Sequence, residues 1–124
     1  MRKIALVFIA LIAALHLYIA WFEMFAWTTV GPGVFDTFPP ELFETTVQLA
    51  ANQGAYNAFL AVGLLWSLFI KDAKWQHNIA VCFLGFVAVA GVVAAVTVAV
   101  KSGLPQFVPS VIALVLLFVS KPKD

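Results

Sequence analysis

Long apolar runs alternate with short polar breaks along the chain, and run length carries the first inference. Apolar side chains dominate Ile4–Trp27, then about 50–70, 79–100 and 106–120. Crossing a hydrocarbon layer of ~30 Å takes about 20 helical residues at ~1.5 Å rise each. Each run therefore predicts a membrane-spanning helix, the last being the shortest. Gly31-Pro32-Gly33 ends the first run, Lys71-Asp72-Ala73-Lys74 separates the second from the third, and Lys101-Ser102-Gly103 the third from the fourth. Pro105 and Pro109 fall at the start of the fourth run, where first-turn N–H groups have no helical partner and proline is tolerated. The expectation is an all-α, four-helix transmembrane bundle forming one domain over 1–124, without internal repeats.

Composition agrees. Of 124 residues, 64% are hydrophobic and 10% charged, against roughly 45–50% and about 25% in soluble domains. Too little polar surface exists to cover a soluble core, whereas a lipid bilayer partner removes that need. Basic residues then set the orientation. Arg2, Lys3, Lys71, Lys74, Lys121 and Lys123 fall on one side of a four-span arrangement and only Lys101 on the other, so both termini are expected in the cytoplasm. The start Met1-Arg2-Lys3 imitates a secretory leader, but its apolar stretch outlasts a leader core of about 7–15 residues and is read as a retained helix. A net charge of +1 argues against a nucleic-acid partner. Cys82 is the single cysteine, which rules out an intrachain disulfide, and its apolar setting reads as packing.

The first external loop, roughly 28–49, holds Asp36, Glu41 and Glu44 and no basic residue. Thr37 and Pro39-Pro40-Glu41 suggest a capped short helix with Leu42, Phe43, Val47 and Leu49 on its apolar side. It reads as an interfacial helix on the outer leaflet, or as a lid over a pocket. Trp21, Trp27, Trp66 and Trp75 fall near the expected interfaces, where aromatic belts form. Gly54-x-x-x-Ala58 and Gly91-x-x-x-Ala95-x-x-x-Ala99 allow close helix packing, within one chain or in a homo-oligomer.

The polar residues inside the runs change the picture most. A charge at the bilayer centre costs at least ~2.5–3.5 kcal/mol, so each such residue demands a reason. His16 and Glu23 lie seven apart on the first helix, about 20° from one another around its axis. Asn52, Gln53, Tyr56 and Asn57 occupy the first turns of the second, with Gln53 and Asn57 four apart. Thr97 and Gln106 flank the second external loop. These depths agree on the outer half, which points to an outward-opening polar pocket with His16 at its floor and Tyr18 and Tyr56 as walls. The bland alternative is that the amides are interhelical hydrogen-bond glue.

Spacing excludes several chemistries. His16 and Glu23 are about 10 Å apart along the axis, too far for an acid–base dyad or a shared metal, whose bonds are ~2.0–2.2 Å. No glycine-rich phosphate loop, nucleophile elbow or His-Glu-x-x-His motif occurs, and no metal site is expected.

His16-x-Tyr18-Ile19-x-x-x-Glu23-Met24-Phe25-x-Trp27, Asn52-Gln53-Gly54-x-Tyr56-Asn57-x-Phe59-Leu60-Ala61 and Gln106-x-x-Pro109 resemble a family of small bacterial membrane proteins catalogued as domain of unknown function 1304. The resemblance covers nearly the whole chain and implies four membrane helices in a bacterial cytoplasmic (inner) membrane. It leaves the reaction open and any cofactor unknown. Three functions remain open. One is binding or transport of a small molecule, lipid head group or ion by His16, Tyr18, Glu23, Asn52, Gln53, Tyr56, Asn57 and Gln106. The second is a membrane enzyme or redox accessory using His16 on a lipophilic substrate such as a quinone. The third is a structural subunit of a membrane complex.

Overall fold

A computed structural model describes residues 1–120, and the described residues are helical with no strand. The helices are α1 (Arg2–Phe25), α2 (Trp27–Val34), α3 (Pro40–Thr45), α4 (Val47–Phe69), α5 (Ala73–Thr97) and α6 (Val100–Val119). Three of them, α1, α5 and α6, are long and apolar enough to cross a membrane. At 23 residues α4 has the length, but Asn52, Gln53 and Asn57 lower its apolarity. Lys121 and Lys123, used for the expected orientation, lie outside the described residues.

Helix boundaries depart from the apolar runs in ways that capping explains. The third run was expected from residue 79, yet α5 starts at Ala73 because Asp72 caps it, accepting the Trp75 N–H at 2.8 Å. A capped helix extends through charged residues that hydropathy reads as a break. The fourth run was expected from residue 106, yet α6 starts at Val100. The reversal needs only Val98 and Ala99, so Lys101-Ser102-Gly103 is the first turn of α6, and Pro105 and Pro109 lie inside the helix. Gly31-Pro32-Gly33 is likewise helical, within α2; the break after α1 falls at Ala26. Thr37 does not cap α3, which follows Pro39 without a side-chain cap.

The chain divides into two compact units: unit 1 comprises 1–14 and 60 onward, unit 2 comprises Leu15–Phe59. Unit 1 has an apolar core. Ala5, Ile9, Ile12 and Ala13 of α1 pack with Leu64 of α4, Ala80, Leu84 and Val87 of α5, and Ala113 and Leu117 of α6. Glycine sets the α5–α6 distance: a Cβ on Gly103 would collide with the Gly91 carbonyl and with Ala95. Buried Ser67 and Ser110 donate to their own helices, at Leu64 O and Phe107 O, which satisfies each hydroxyl without a partner helix. Cys82, expected in the packed interior, is exposed, because the buried face of α5 runs through Gln76, His77, Ala80, Leu84, Val87 and Gly91.

Candidate functional site

Unit 2 buries different residues. From α1 it takes His16, Ala20, Phe22 and Glu23, and from α4 Ala50, Gly54 and Asn57. His16, Ala20 and Glu23 are spaced by four and three, as are Ala50, Gly54 and Asn57, so each set is one stripe on one helix face. The two faces meet closely at Gly54. A Cβ there would lie 2.6 Å from Met24 Cγ, 3.0 Å from the Ala20 carbonyl oxygen and 3.1 Å from Glu23 Cβ. Only glycine admits that approach, and Asn57 follows one turn later on the same stripe.

The result is a hydrogen bond between side chains 34 residues apart. Asn57 Nδ2 donates to Glu23 Oε2 at 2.7 Å, with Glu23 7% and Asn57 8% exposed. The same amide nitrogen donates back to the Gln53 carbonyl at 3.3 Å. That back-bond to its own helix helps hold the amide in place toward the carboxyl group. Glu23 retains a second oxygen, and a carboxylate can accept about four hydrogen bonds. Both amide protons of Asn57 are directed, so its carbonyl oxygen remains as acceptor capacity. With Glu23 ionised, the two side chains offer acceptors, which suits a cation, a proton or a hydrogen-bond donor.

The other expected site residues are distributed differently. His16 is fully buried on the Glu23 stripe, two turns toward the start of α1. Tyr18 and Tyr56 are exposed, as are Asn52 and the side chain of Gln53. Tyr56 packs edge-on against Phe59 with centroids 5.8 Å apart. Gln106 belongs to unit 1, where its amide approaches the Ser102 carbonyl at 3.4 Å. Thr97, also in unit 1, donates to the Val93 carbonyl at 2.7 Å. Among the described residues no three His, Cys, Asp or Glu side chains gather as a metal ion would require.

A packed aromatic group completes unit 2. The Trp27 ring lies 5.1 Å from Phe43 and 5.6 Å from Phe35, and stacks on Phe22 at 6.4 Å. Trp27 Nε1 donates to Thr46 Oγ1 at 2.9 Å, and that hydroxyl donates to the Leu42 carbonyl at 2.7 Å. Gly31 lets Phe43 press onto α2, since a Cβ would stand 3.0 Å from the ring. Trp27 is therefore a structural member of this group. Asp36, Glu41 and Glu44 remain exposed. Sequence reasoning missed the Trp27–Thr46 link and the seating of Glu23 by Gly54. The density of aromatics between residues 22 and 43, and the Gly54-x-x-Asn57 spacing, were the available signals.

A family model described as "Protein of unknown function (DUF1304)" matches residues 10–118. The chain belongs to that family. No curated protein and no solved structure matches it.

Proposed function

We propose that this DUF1304 member is a four-helix membrane protein spanning with α1, α4, α5 and α6, both termini cytoplasmic. It binds or moves a small molecule, lipid head group or ion at the Glu23–Asn57 pair, reached from the outer side. The carrying observation is the 2.7 Å bond joining two buried polar side chains 34 residues apart. Hydrogen-bond glue alone does not call for a carboxyl group. A second amide would tie α1 to α4 equally well, without the cost of an ionisable group in an apolar span.

Counting α4 as a span has its own support. Arg2, at the start of α1, hydrogen-bonds Gln76 in the first turn of α5. A chain that leaves along the 24 residues of α1 must therefore come back before α5 begins. The 23 residues of α4 cover about 35 Å at ~1.5 Å per residue, enough for the return. The amides that depress its apolarity are the groups a polar site uses. Lys71 and Lys74 then share a side with Arg2 and Lys3, as the bias of basic residues favours.

In this reading Glu23 supplies the charge or exchanges the proton, and Asn57 orients its carboxyl group. The test is extraction and mass spectrometry of full-length protein purified from its native membrane, beside Glu23→Gln. Glutamine keeps the shape and can still accept from Asn57. A cationic or hydrogen-bond-donating small molecule should accompany the wild type and fall about tenfold in the variant, the loss of one charged hydrogen bond. Identical extracts from two equally stable proteins would overturn the reading. A quinone retained by both would move the assignment to the redox role with His16.

A further inference from the structure

A second chemical feature lies in unit 1, at the end where α1 and α5 begin. Arg2 Nη2 donates to Gln76 Oε1 at 2.5 Å, and Gln76 is only 8% exposed. The bond holds the guanidinium at a fixed place against the first turn of α5. Lys3 on α1, and Lys71 and Lys74 beside the start of α5, are exposed. Asp72 lies between Lys71 and Lys74, one carboxylate oxygen accepting from Trp75 N at 2.8 Å, so basic groups outnumber acidic ones at this end among the described residues. Trp75 is 63% and Phe69 80% exposed, flanking the same short turn.

Cations at one end of an apolar unit, with uncovered aromatic rings next to them, fit a ligand with an anionic head and apolar tails. The geometry points to this end of α1 and α5 as a head-group site for an anionic phospholipid. Guanidinium and ammonium groups donate to phosphate oxygens in charge-assisted hydrogen bonds. Arg2 is already oriented by Gln76, so less side-chain freedom is lost on binding. Trp75 suits the head-group level, where an indole ring keeps one apolar and one wet edge. Basic clusters of this kind beside membrane helices recognise acidic lipids. The inference stands apart from the Glu23 pair, since no residue is shared.

Native mass spectrometry of the full-length protein tests it, with phosphatidylglycerol or phosphatidylcholine of identical acyl chains added. Phosphatidylglycerol should be retained about tenfold over phosphatidylcholine, and Lys71→Gln with Lys74→Gln should reduce that preference to about twofold. This pair of changes leaves the Arg2–Gln76 bond and the Asp72 cap in place. A measurement without any variant is the melting temperature in vesicles of each lipid, expected to be higher in phosphatidylglycerol. Equal retention of the two lipids overturns the site, and so does a preference that survives loss of both lysines. Displacement of the lipid by an acidic peptide at equal concentration would assign the patch to a protein partner instead.

Discussion

Helix α1 buries Ala5, Ile9, Ile12 and Ala13 in unit 1, then His16, Ala20 and Glu23 in unit 2. Helix α4 changes in the opposite order, from Ala50, Gly54 and Asn57 in unit 2 to Ala61 and Leu64 in unit 1. In unit 1 these two helices bury mainly apolar side chains, with Ser67 bonded back to its own helix, whereas in unit 2 they bury a carboxyl group and an amide bonded to each other beside Phe22. Shape complementarity accounts for most of the first. The second needs a hydrogen bond to make burial tolerable, since a polar group in an apolar medium costs free energy until paired. Evidence for function lies where burial is chemically expensive, and the buried carboxyl group of unit 2 is such a place.

The largest expected effect would sharpen the packing side of this contrast. Leu84 is fully buried in the unit 1 core, so Leu84→Ala removes packing and leaves a cavity, a loss of about 3 kcal/mol. Unfolding in mixed detergent micelles measures it. Ligand retention by the folded fraction should be unchanged. A loss under about 1 kcal/mol would mean that unit 1 is not the tightly packed part.

A smaller effect is expected at the helix approach that seats the polar pair. A Cβ on Gly54 would stand 2.6 Å from Met24 Cγ and 3.0 Å from the Ala20 carbonyl. Gly54→Val should cost about 2 kcal/mol, because the backbone carbonyl cannot move aside as the methionine can. Gly85→Ala is the control: nothing lies within 4 Å of a Cβ there, and alanine is the better helix former by up to about 1 kcal/mol. Equal outcomes at the two positions would remove the reason for placing Glu23 through Gly54.

The helices were legible from run length, because an apolar stretch of about 20 residues has few other uses. Their ends were not. Asp72 starts α5 amid charged residues, and Gly103 serves close packing inside a segment that reads as a linker. Glu23 and Asn57 were legible as residues that lipid should exclude. Their pairing apart from Gln53, Asn52 and Tyr56 was not, since polar residues ring the first turns of α4 and depth alone does not choose a face. The deciding residue was Gly54, whose missing side chain determines which face of α4 meets α1.

The smallest expected change is the most informative about the polar pair. Asn57→Leu alone leaves the Glu23 carboxyl group buried without its 2.7 Å donor, a loss of about 1–3 kcal/mol. Glu23→Leu alone leaves the Asn57 amide with its 3.3 Å bond back to the Gln53 carbonyl, at a smaller cost. The double variant removes both polar groups together, and two apolar partners of similar shape are nearly neutral. Its loss should therefore fall below the sum by about 1 kcal/mol or more, the coupling of groups in contact. Unfolding of the four proteins in the same micelles closes the cycle. A folded, nearly wild-type double variant that retains no small molecule would mean that the pair is not kept for stability. Strict additivity would mean that the two side chains act separately, and the site built on their bond would be withdrawn.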